Sequence, residues 1–106
     1  MPKYLIQGRY TAEGLKGLAK DKASGRKAAV QAGLKSVNGK VESLYFALGS
    51  DDVVLIVEAP DNVAVAAVSL SAGATGLVNI RTTPLLTVEE IDKALALPLK
   101  FRGAGQ

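Results

Sequence analysis

The spacing of apolar and polar residues changes period several times along the chain, and each change marks an element. Tyr4 to Tyr10 is short and β-prone. It ends at Thr11, whose hydroxyl can cap a first helix with Glu13 in the first turn. Leu15, Leu18, Ala19, Ala23, Val30, Leu34 and Val37 then fall on one helical face. Gly14, Gly17, Gly25 and Gly33 weaken that helix, each by about 1 kcal/mol relative to alanine, and Ser24-Gly25 is expected to break it in two. Asn38-Gly39 is the stop, because both residues tolerate the left-handed conformation of a helix end.

Lys40 to Leu48 alternates, with Leu44, Phe46 and Leu48 on one side and Ser43, Tyr45 and Ala47 on the other, which predicts a half-buried strand. After the turn Gly49-Ser50-Asp51, Val53 to Val57 is apolar without interruption, the pattern of a central strand covered on both faces. Pro60 ends it, and Asp61 can cap a second helix with Val63, Ala66, Ala67 and Leu70 at helical spacing, closed by Gly73 and Gly76. Leu77 to Thr83 alternates again as a fourth strand, and Pro84 is expected to stop it. Thr87-Val88-Glu89-Glu90 is a capping box opening a short third helix with Ile91 and Leu95.

The order is βαββαβ with an appended helix. Two βαβ halves of similar length predict an α+β fold: a ferredoxin-like plait with a four-stranded antiparallel sheet, both main helices on one face, and the first and third strands at its centre. Residues 1–96 form the expected domain, and 97–106 a mobile tail. A central strand apolar on both faces needs a second cover, and another copy of the same chain is the economical source. A homo-oligomer, dimer or higher, joined through the sheet face is therefore expected, with Val54 and Ile56 as interface candidates.

The run Gly49-Ser50-Asp51-Asp52 to Glu58-Ala59-Pro60-Asp61, followed by Asn79-Ile80-Arg81-Thr82-Thr83, resembles the GYD domain family. These small bacterial and archaeal proteins are named for a Gly-x-Tyr-Asp turn before the third strand. The resemblance covers most of residues 3–93, including Tyr4 and Tyr10-Thr11. Here Gly49 and Asp52 match the turn, and Asp51 stands at the tyrosine position. The resemblance implies a ferredoxin-like unit similar to the dimeric α/β barrel superfamily, in which two sheets face each other. Relatives in that superfamily include cofactor-independent monooxygenases, lactone isomerases and small-molecule-binding proteins. The GYD family carries no settled activity over to this chain.

Composition narrows the chemistry. The 106 residues contain no cysteine, histidine or tryptophan. That excludes a thiolate nucleophile, a Ser-His-Asp triad, an imidazole base, a zinc finger and a histidine or cysteine haem ligand. The net charge of +3 is unevenly spread: residues 1–40 hold nine Lys/Arg against Glu13 and Asp21, while residues 41–106 hold four against eight acids. The basic excess at Lys16, Lys20, Lys22, Arg26, Lys27 and Lys35 reads as a solvated helix face. Aromatics that would stack bases are not interleaved with it, and the third strand is aliphatic, so nucleic acid is not the expected partner. No run is apolar enough for a signal peptide or a membrane span, which makes the cytoplasm the expected compartment.

Strand alternation places Gln7, Arg9, Ser43, Tyr45, Asp52, Asn79, Arg81 and Thr83 on the face away from the helices. Arg9, Tyr45, Asp52, Asn79 and Arg81 are the ligand-binding candidates, suited to a small anionic or phenolic molecule held by guanidinium pairing. The competing reading has Arg9 and Arg81 pair with Asp52 or Glu58 across an interface and serve association alone. Asp51 reads as a turn stabiliser, and adjacent Asp51 and Asp52 do not make a proton-sharing pair. A metal on Asp51, Asp52 and Glu42 lacks supporting spacing, and Gly73-Ala74-Thr75-Gly76 follows a helix instead of opening one, so no cofactor is expected. The favoured function is a small binding or structural module associating through its sheet face. The alternatives are a cofactor-independent oxygenase or isomerase using Arg81, Tyr45 and Asp52, and a metabolite-sensing module.

Overall fold

The computed structural model describes all of residues 1–106. The chain runs β1 (Lys3–Tyr10), α1 (Ala12–Ser36), β2 (Lys40–Phe46), β3 (Val53–Glu58), α2 (Asn62–Ala74), β4 (Val78–Leu85) and α3 (Val88–Ala96). The four strands form one antiparallel sheet in the order β2-β3-β1-β4. This is the ferredoxin-like α+β plait expected from the element order, with β1 and β3 at the centre.

The caps form where the side chains invite them. The Thr11 hydroxyl accepts from the Gly14 amide, Asp61 from the Ala64 amide, and Thr87 and Glu90 complete a reciprocal capping box. The core lies between α1, α2 and the sheet and is built from Tyr4, Ile6, Leu34, Val53, Leu55, Val57, Ala59 and Val65. A β-bulge between Val41 and Ser43 inserts one residue into β2. Val41 and Leu44, three apart, can therefore both pack against this core.

Four sequence expectations need correction. First, α1 does not break at Ser24-Gly25. It kinks at Lys22, where φ is 64° and ψ is 165°, a region that L side chains rarely enter and that costs on the order of 1–3 kcal/mol. Second, the apolar face expected of α1 is only partly covered. Leu34 is fully buried, but Leu15, Ala19 and Ala23 are exposed, because the helix is anchored at its two ends and bends between them. The first anchor is Gly14, buried where a methyl would overlap the Leu77 carbonyl. Third, α2 packs through Ala64, Val65 and Val68, leaving Val63 and Leu70 in solvent. That helix is apolar nearly all round, so spacing alone did not select the covered side. Fourth, β4 continues through Pro84, which pairs with Tyr4 on an edge strand, where proline is tolerated.

Beyond the sheet, α3 is barely covered by the rest of the chain. All nine of its residues are exposed, as are Leu97, Leu99 and Phe101 after it. The chain measures 56 × 33 × 22 Å with a radius of gyration of 16.9 Å, against about 13 Å for a compact domain of this length. No helix is long and apolar enough to cross a membrane.

Candidate functional site

The face of the sheet away from the helices is organised in rows. Pairing of β1 with β3 and β4 sets Gln7 between Val54 and Arg81, and Leu5 between Ile56 and Thr83. Pairing of β2 with β3 extends those rows to Tyr45 and Ser43. Leu5, Val54 and Ile56 thus form an apolar centre, with polar groups at both ends.

At one end the turn between β2 and β3 folds back over β1. Arg81 Nη2 donates to Asp51 Oδ2 at 2.6 Å, and Gln7 Nε2 reaches the same oxygen at 3.3 Å. Arg9 Nη1 donates to the carbonyls of Ser50 at 3.0 Å and Gly49 at 3.4 Å. Arg9, Asp51, Asn79 and Arg81 border a shallow depression of about 310 Å³. Arg81 remains 64% exposed, so its ion pair contributes little stability, while it does fix where the guanidinium sits.

Asp52 lies elsewhere. Its Oδ2 accepts from the Tyr10 backbone amide at 2.9 Å, and its own amide donates to the Gly8 carbonyl at 2.8 Å. It is therefore a clip between the turn and the end of β1, and Asp51 is the carboxylate that meets Arg81. The alternation rule failed here because both aspartates precede β3, in a turn where side chains do not alternate between faces.

Tyr45 stands 71% exposed at the far edge. Three strand spacings separate it from Arg81, about 14 Å along the row. Of the ligand-binding candidates, the fold gathers Arg9, Asn79 and Arg81, and sets Tyr45 and Asp52 apart from them.

The other end of the face is a charge cluster. Lys3 pairs with Glu42 at 2.5 Å and Lys40 with Glu58 at 3.1 Å. The hydrogen bond from Lys40 holds the Glu58 carboxyl below its ordinary pKa, and the hydrogen bond to Glu42 raises that of Lys3. On α3, the Thr87 backbone amide donates to Glu90 and lowers its pKa in the same way.

The family model for the GYD domain matches residues 4–95. The chain belongs to the GYD domain family. No curated protein and no solved structure matches it. In this GYD domain Gly49, Asp51 and Asp52 share the turn before β3, where Asp51 pairs with Arg81. Beyond the turn, the Tyr4 hydroxyl donates to Asn62 Oδ1 at 2.8 Å and ties β1 to the start of α2. A buried tyrosine needs a partner for its hydroxyl, and the polar residue just inside the second helix was the available signal.

Proposed function

We propose that this GYD domain is a self-associating module, in which two or more copies join through the open sheet face. The supporting observation is surface area. The chain exposes 7538 Å², whereas a compact monomer of 11.0 kDa exposes about 5,600 Å². The excess, about 1,900 Å², lies in the range of roughly 1,000–2,500 Å² that each partner buries in a permanent oligomer. Only ten of the 106 residues are buried in the isolated chain, so much of the apolar sequence still awaits a cover.

The open face suits a second copy. Its centre is apolar, and the polar ends hold three internal ion pairs, Arg81 with Asp51, Lys3 with Glu42 and Lys40 with Glu58. Arg9, held by the Gly49 and Ser50 carbonyls, keeps its charge at the edge of the face, where the rim of an interface stays polar and wet. The C-terminal arm supplies a second contact. A nine-residue helix with little tertiary packing is marginal in water, and the exposed Val88, Ile91 and Leu95 give this one an apolar side to lay on a neighbour, with Phe101 exposed beyond its end.

Light scattering on the purified full chain tests the reading. A mass of at least two chains at micromolar concentration is expected, with Val54→Asp shifting it to one. A monomeric wild-type chain overturns it.

A further inference from the structure

We propose that the cleft beneath the kink of α1, on the opposite side of the sheet from the association face, binds a small apolar monocarboxylate whose carboxylate is held by Arg26. Two cavities lie between the helices and the sheet, of about 80 Å³ and 140 Å³. Both are bordered by Tyr10, Arg26, Ala72 and Val78, so these residues form a waist between them. The first is lined almost wholly by apolar side chains, including Val30 and Ile80.

Gly8 lies on β1 beside this space, and a Cβ there would come within 3.0–3.4 Å of Val53, Val78 and Ile80, so these cavity-lining side chains close over the glycine. Above it, the break at Lys22 lets α1 bend between its anchors at Gly14 and Leu34. Positive φ in a lysine is retained where the surroundings require it, and such strained positions gather at ligand sites.

The charged groups of the cleft are Arg26, which borders both cavities, and Asp21, which borders the second. Ser69 is engaged by Thr82 at 2.7 Å, and Arg26 and Asp21 form an ion pair at 3.7 Å, longer than a direct hydrogen bond. Arg26 therefore keeps donors for a planar, bidentate acceptor, which a carboxylate provides. Lys20, Lys22 and Lys27 surround the same segment with positive charge that draws an anion toward the mouth. The first cavity is about half of the 150 Å³ that holds a benzene molecule, so a short branched chain fits within it and a ring must extend through the waist into the second.

Amide chemical-shift titration of the full-length chain with isovalerate, phenylacetate and the uncharged 2-phenylethanol is the experiment. Saturable shifts at Tyr10, Arg26, Ala72 and Val78 are expected with at least one acid, with 2-phenylethanol binding more weakly. Arg26→Gln should weaken the acid by roughly tenfold or more while leaving 2-phenylethanol unchanged. Ala72→Phe, which fills the waist, should abolish both, and Arg26→Gln decides the matter if that variant does not fold. Three results overturn the proposal: no saturable shift with either acid, shifts confined to Arg9, Asn79 and Arg81, or equal affinity in Arg26→Gln. Because the cleft lies within one chain, its outcome is independent of the measured oligomer mass.

Discussion

On β3, Val53, Leu55 and Val57 are buried under α1 and α2, whereas Val54 and Ile56, one step along the same strand, stay half-buried with only their sheet neighbours around them. The side chains are nearly the same. Burial here is decided by how much cover the chain can supply, and two main helices suffice for one face of a four-stranded sheet. The same shortage appears in α1, which is fixed at both ends and leaves a cleft along its middle.

The sharpest test of this contrast places the same charge on each face. Val57→Asp buries an unpaired carboxylate in a fully covered position, costing several kcal/mol. It should remove the cooperative thermal transition seen by circular dichroism. Val54→Asp should keep that fold and change only the mass. If both variants unfold, the open face is part of the folding core and not a separate association surface.

Next in size is Gly14→Ala. Its methyl would collide with the Leu77 carbonyl, which also accepts from the Thr11 amide at 2.9 Å. A loss of about 2 kcal/mol is expected in denaturant unfolding. Lys22→Gly acts in the opposite direction. Glycine accepts the positive φ without strain, so a gain of about 1 kcal/mol is expected, and with it a melting temperature higher by a few degrees. A loss of stability instead would mean that the Lys22 side chain supports the bend.

The smallest expected effect is electrostatic. The folded pKa of Glu58 lies below its ordinary value of 4.5, so its contribution is present above that value and is lost as pH falls through the lowered folded pKa. Lys3, raised from 10.5, contributes fully below that value and loses its contribution as pH rises through the higher folded one. Acid titration of Glu58→Gln should show a slightly shallower loss of stability below about pH 4.5 than the wild-type chain. An identical profile would remove the Glu58 pair from any account of this face.

How far the sequence foretold this structure depends on the kind of signal. Caps at Thr11, Asp61 and Thr87 were legible because a side-chain oxygen before an apolar periodic run has one local use. The central place of Val53 to Val57 was legible because an uninterrupted aliphatic run of strand length marks a strand inside a sheet. The covered side of α2 was not, since alanine and valine surround that helix. The bend at Lys22 was hidden because lysine has no preference for positive φ, so the tertiary anchors at Gly14 and Leu34 impose it. At the candidate site, alternation assigned Arg9, Asn79 and Arg81 to one face, but it was the pairing of β1 with β4 that brought them together. The exchange of roles between Asp51 and Asp52 was a matter of turn geometry, to which periodicity does not apply.

The sheet's two outer strands also bear on how growth stops. Pro84 lies on β4 and has no N–H to offer an incoming strand, while the bulge at Val41/Ser43 distorts β2 on the opposite edge. Both devices frustrate ribbon-like addition of chain upon chain, the route that leads to fibrils. A protein that leaves aliphatic residues uncovered on a broad sheet would otherwise risk open-ended polymerisation. With its rims blunted, the association proposed above would be stacking, a finite mode of assembly that ends once the faces have met.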